Sequence, residues 1–180
     1  MTLWLTDAQV QQLIDHARAD APNEACGLIA GKGMRAVRII PLENVAETPQ
    51  TNYVANPRQL VQQIHEIEAA GLSLIAVYHS HPRHAAIPSE TDIRQATYGA
   101  TPYLIVGLQG DTPTLAAWTI QHGRVTPVYL HIGLNEPDTT TQDTPLSQAQ
   151  QAAILISTAL AFALLILFSL ALLPPAPSIP

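Results

Sequence analysis

Two histidines stand two positions apart in the run Ala76-Val77-Tyr78-His79-Ser80-His81-Pro82, at the end of an apolar stretch. In an extended strand alternate side chains share a face, so both imidazoles point into one pocket and can chelate one metal ion. Pro82 has no N–H to give the ladder and sends the chain into a loop. A His-x-His at a strand end equally suits two polar residues reaching for water, so the pair alone leaves both readings open.

Seven residues separate His81 from Ser89, and Asp92 comes three positions after Ser89, with Ile93 and Ala96 at helical spacing behind it. Ser89 and Asp92 have the spacing of a capping box, in which the first residue caps a helix and the fourth bonds back to it. That geometry pins Asp92 on the first helical turn, facing the strand end where a third metal ligand is needed. Glu24 precedes Cys26-Gly27-Leu28 at the entrance to another apolar run. On its own it reads as an ordinary solvated carboxylate.

These residues need a scaffold, and the hydrophobic pattern supplies one. Thr6 or Asp7 caps a first helix whose stripe is Val10, Leu13, Ile14 and Ala17, and Pro22 stops it. Residues 25–31 read as a buried strand ending in a Gly-Lys-Gly turn, and 34–42 as the next strand. Asn56-Pro57 opens a second helix with the stripe Leu60, Val61, Ile64 and Ile67, ended by Gly71. The apolar run 72–78 is short enough for a central strand, followed by strands at 103–108 and 115–120 and one around 125–132 across Gly123. Helices and strands mix without strict alternation, which predicts an α+β fold or three-layer α/β/α sandwich around a mixed, mostly antiparallel sheet.

The chain has 180 residues, 8 Lys plus Arg against 14 Asp plus Glu, and a net charge of −6. Nucleic-acid binders draw affinity from clustered cations, and no such cluster occurs, so nucleic acid is not an expected partner. The single cysteine, Cys26, excludes an internal disulfide and a Cys-rich zinc cage, which suits a reducing compartment. The first residues lack the basic start and apolar run of a secretory signal peptide.

Residues 135–151 turn polar, with Thr, Gln, Asp and prolines, as a linker does. Residues 152–173 then carry no charge, and as a helix they extend about 33 Å at ~1.5 Å per residue, enough to cross a hydrocarbon core of ~30 Å. The expected organisation is a globular domain over 1–134, the linker, a single C-terminal transmembrane helix over 152–173 and a short tail over 174–180. The catalytic part is then expected on the cytoplasmic side of a membrane.

Taken together, Glu24, His79-x-His81, seven residues, Ser89, two residues and Asp92 match the signature of the JAMM, or MPN-plus, zinc metallopeptidases. The sequence over roughly 1–134 resembles the small prokaryotic members, also in Pro22-Asn23-Glu24-Ala25-Cys26-Gly27-Leu28 and in Val77 to Pro82. The resemblance implies a cytidine-deaminase-like fold with Zn²⁺ on His79, His81 and Asp92, Glu24 activating water and Ser89 assisting at the oxyanion. It also implies a peptidase or isopeptidase cutting after the C-terminal Gly-Gly of a ubiquitin-like or sulfur-carrier protein. The alternative is a membrane-tethered scaffold of the same fold without turnover, whose usual mark, loss of the ligands, is missing. Oligomeric state is not legible.

Other candidates are set aside. His84 reads as a loop position, while His16, His65, His122 and His131 have no companion at ligand spacing. Cys26 reads as a buried thiol, and Tyr78 and Trp118 as core. Asn44 and Asn52-Tyr53-Val54 fall where the family's substrate-clasping segments lie.

Overall fold

The computed structural model describes residues 1–133. Seven strands and three helices follow in the order β1 (Thr2–Leu5), α1 (Asp7–Asp20), β2 (Cys26–Lys32), β3 (Arg35–Leu42), α2 (Pro57–Ala69), β4 (Ser73–His81), α3 (Glu90–Gln95), β5 (Tyr103–Gly107), β6 (Thr114–Gln121) and β7 (Arg124–Ile132).

Local chemistry sets the helix starts. Thr6 caps α1 in a capping box, its hydroxyl accepting from the Gln9 N–H and its own N–H donating to the Gln9 carboxamide. Asn56 caps α2 by accepting from the N–H groups of Arg58 and Gln59, with Pro57 at the first helical position where its missing donor costs nothing. Leu13 and Ala17 of α1 pack with Ile29, Ile39, Ala76, Tyr78 and Leu104 in one core cluster. Ile67 of α2 joins Leu28, Ile40, Val77 and Tyr103 in a second cluster, against which Leu60, Ile64 and Ile93 of α3 also pack. Helices thus cover both faces of the sheet, as an α+β layering requires.

The sheet is mixed. β2 pairs antiparallel with β3 and β4, and β5–β6 and β6–β7 are antiparallel, whereas β4 and β5 run parallel. The predicted α/β/α sandwich said nothing of closure, and the strand order β1-β3-β2-β4-β5-β6-β7 closes the sheet into a barrel. The closing strand is β1, which lies parallel to β7 in the register Leu3↔Leu130 and Leu5↔Ile132 and touches β3 at Trp4↔Arg35. Leu3 and Leu5 are buried and Thr2 and Trp4 half-buried, the alternation of a strand with one face on the core. Four residues are too few for that period to stand out in the sequence. Closure pairs part of the outer edge of β7, which an open sheet leaves exposed, and meets β3 at a single point.

Among the described residues no helix is long and apolar enough to cross a membrane. The expected linker, span and tail at 135–180 lie outside the described residues.

Candidate metal centre

Strand β4 runs further than the apolar stretch that announced it and ends on the two histidines. His79 is fully buried and His81 nearly so, and both lie on the α2 and α3 side of the sheet with Val77. Ser89 caps α3 in the expected capping box: its hydroxyl accepts from the Asp92 N–H at 3.1 Å, and its own N–H donates to Asp92 Oδ2 at 2.6 Å. This presents the Asp92 carboxylate to β4.

The three side chains converge. His79 Nε2 and His81 Nε2 lie 3.1 Å apart, and the Asp92 oxygens Oδ1 and Oδ2 lie 3.3 Å from His79 and His81 respectively. Zn–ligand bonds of ~2.0–2.1 Å on a tetrahedron give ligand–ligand edges of roughly 3.3 Å, so the spacing fits that ion. The donor chemistry fits too. His81 Nδ1 lies 3.0 Å from the Ala85 carbonyl, which can only accept, so Nδ1 carries the hydrogen and Nε2 turns a bare lone pair inward. Among the described residues this is the group of three His, Cys, Asp or Glu side chains able to hold a metal, with ligand atoms within 4.8 Å of one another. His79, His81 and Asp92 form the zinc site, leaving a fourth tetrahedral position for the reacting groups.

Electrostatics follow from burial and proximity. Burial alone raises the Asp92 carboxyl, but its contacts with His79 and His81 and the Ser89 N–H overrule this and hold it well below the usual carboxylate range. Burial lowers the His79 imidazole below its ordinary value, against the Asp92 contacts that raise it. Burial also lowers His81, yet the hydrogen bonds to Asp92 and Ala85 outweigh it and the net direction is up. Glu24, only 7% exposed, is pushed up to about 7 by burial, against the attraction of His81 and with Asp92 adding to the rise.

Glu24, His81 and Ser89 line one cleft of about 490 Å³, together with Gln50, Thr51 and His84. A larger polar cavity, about 790 Å³, lies elsewhere and contains none of the three ligands. Because the Ser89 oxygen accepts from the Asp92 N–H, its own O–H remains free to donate.

Several supports escaped the sequence reading. Tyr53 stacks on His79 with ring centroids 4.5 Å apart and planes 19° from parallel. Among the described residues no side chain or backbone group bonds His79 Nδ1, and the ring is flanked by the Tyr53 stack and the Asp92 contact at Nε2. Trp118, read as core, is half-buried and donates its indole N–H to the Ala86 carbonyl at 3.0 Å, holding the loop whose Ala85 carbonyl faces His81. That loop also leans on Gly107, where a Cβ would come within 2.5 Å of Ala86 N and 2.7 Å of Ala85 C. Backbone atoms cannot rotate aside as a side-chain tip can, so Gly107→Ala is expected to lower unfolding free energy by about 1–3 kcal/mol. Urea denaturation of the two proteins measures this.

The remaining candidates fall where expected. Cys26 is buried, its thiol pushed up to about 12 chiefly by burial; it meets the Leu42 carbonyl and, though opposite His79 in the β2–β4 register, is not one of the three converging ligands. Tyr78 is core and its hydroxyl pairs with His16 Nδ1 at 2.9 Å, while His16 also meets Asp20. His84 is exposed at the cleft.

A barrel-closed α+β domain with two histidines and an aspartate converging beside a buried glutamate defines a mononuclear zinc hydrolase. Residues 6–121 match the family model of prokaryotic homologs of the JAB domain. The chain is 39% identical over 110 residues to a probable TtuB-protein conjugate cleaving protease of Thermus thermophilus, covering 61% of this chain and 73% of that one. It is 36% identical over 113 residues to a desampylase of Haloferax volcanii, covering 59% and 81%. A solution structure of a Desulfitobacterium hafniense protein superposes with a TM-score of 0.67 at 28% identity, covering 76% of this chain and 96% of that chain. The chain belongs to the prokaryotic JAB, or JAMM, family and is a zinc peptidase of that type.

Proposed function

We propose that this protein hydrolyses the bond joining the C-terminal glycine of a ubiquitin-like or sulfur-carrier protein to an amine, releasing the two partners. The observation that carries the reading is the single cleft shared by Glu24, His81 and Ser89 beside three converging ligand atoms. The relatives named for cleaving TtuB conjugates and for desampylation support the substrate class.

When bound, Zn²⁺ supplies Lewis acidity, polarising a carbonyl and bringing the pKa of water down to ~7. Glu24, ionised, takes the proton from the attacking water and hands it to the departing amine. Its burial suits both halves of that task, because a carboxyl near neutrality gains and loses a proton with little cost. The free O–H of Ser89 donates to the carbonyl oxygen as charge develops there. A scaffold without turnover has no use for this convergence. The deciding experiment incubates the zinc-loaded protein with conjugates of a Gly-Gly-tailed ubiquitin-like protein and follows the products by mass. Intact conjugates at every tested substrate remove the reading.

We also propose that residues 152–173 anchor the chain in a membrane with the catalytic domain on the cytoplasmic side. Their 22 uncharged residues favour insertion by apolar burial, and a lone thiol suits a reducing compartment. The full chain is expected to sediment with membranes through high-salt and alkaline washes, and a chain ending before residue 152 to stay in the supernatant. Protease protection of sealed vesicles reads the side. Release of the full chain by salt alone rules the anchor out.

A further inference from the structure

The carboxamide of Asn44 makes four hydrogen bonds and leaves no donor or acceptor idle. Its Nδ2 donates to the Glu24 carbonyl at 2.8 Å and the Asn52 carbonyl at 3.1 Å, while its Oδ1 accepts from the N–H groups of Ala46 and Val54, each at 3.0 Å. Asn44 also sits at the neck of the loop leading from β3 to α2, bridged antiparallel to Ala55, with the Val45 N–H donating to the Val54 carbonyl at 2.8 Å.

That loop forms one wall of the cleft. Gln50 and Thr51 line it, and Tyr53 lies against His79. The Glu24 N–H donates to the Pro49 carbonyl of the same loop at 2.6 Å. Both backbone polar groups of Glu24 are therefore held by one segment, the N–H by the loop's backbone and the carbonyl by the Asn44 side chain. One residue further on, the Ala25 N–H donates to the buried Ser80 hydroxyl at 2.8 Å, between the two histidines.

We infer that Asn44 is a positioning residue: it locks the cleft wall and the backbone of Glu24 into one unit and so sets where the Glu24 carboxylate stands relative to the ligands. It touches neither substrate nor ion and acts through Glu24, so the inference rests on Glu24 being the base. Displacing a catalytic group by ~1 Å costs on the order of 10²-fold in rate.

The test measures single-turnover cleavage of a conjugate by the zinc-loaded full chain in four forms: wild type, Asn44→Asp, Glu24→Gln and the double variant. Aspartate keeps both acceptor bonds that close the loop neck but cannot donate to the Glu24 or Asn52 carbonyls. Asn44→Asp is expected to slow cleavage by about tenfold to a hundredfold with about one zinc per chain retained. The double variant is expected to be no slower than Glu24→Gln, because the lost positioning matters only through the base. Asn44→Ser, smaller and uncharged, runs in parallel under the same criteria, so failure of one variant to fold does not decide the outcome. The proposal is overturned by a folded Asn44 variant within twofold of wild type, by slowing that tracks lost zinc or by loss of fold in both variants, or by losses that multiply in the double variant. Wild-type speed in Glu24→Gln alone overturns the base assignment and this inference with it, a pattern distinct from the other three.

Discussion

Glu24→Gln is expected to slow turnover by ~10² to 10⁴-fold while about one zinc ion per chain stays bound, the range general acid–base groups typically contribute. Glutamine keeps the size and much of the hydrogen bonding of the side chain but cannot take a proton from water. The acid side of the pH profile carries the same signature. As the proposed base Glu24 works only when ionised, and burial pushes it up to about 7, so activity is expected to fall as pH drops through that region and the carboxyl protonates. A bound dication favours the carboxylate and moves the limb downward, to or below about pH 7. Glu24→Gln should lack that limb altogether. Rate, pH profile and zinc content belong on the same preparation: retained activity removes Glu24 as the base, and lost zinc turns it into a ligand.

His81→Ala is expected to empty the site. The imidazole supplies one of three ligands and stands within 3.3 Å of both others, and its Nδ1–H engages the Ala85 carbonyl. Disturbing a residue behind a ligand typically costs 10- to 100-fold in metal affinity, so removing a ligand from an open three-ligand site should exceed that. Metal analysis after dialysis should fall from about one zinc per chain to near none, with cleavage lost in parallel. His84→Ala, three positions along and exposed at the same cleft, is the control and should keep its zinc. Full occupancy in His81→Ala removes that histidine from the site.

The ligands were legible in the sequence because two short-range rules place them. Strand alternation puts His79 and His81 on one face, and capping-box spacing puts Asp92 on the first turn of α3. Glu24 was not legible locally: nothing in the residues around it marks it out, and only its company in the whole signature did. The helix starts at Thr6 and Asn56 were equally plain, since a cap is a matter of one residue and its next three. What escaped depends on contacts between segments far apart in the chain. Trp118 read as core, and its contact with the loop beside His81 runs through one N–H. The four bonds of Asn44 all go to backbone groups, which carry no residue identity. β1 offered four residues and a partner at the far end of the domain.

That last pairing bears on how the domain assembles. The strand made first, β1, finds its main partner in the strand made last, β7. A nascent chain that has already formed α1 and the β2–β3 hairpin still has nothing to seal its seam, so closure is a late, long-range event and slow relative to those local steps. Until β7 emerges, β1 lacks its main partner and stands open to strands of neighbouring chains.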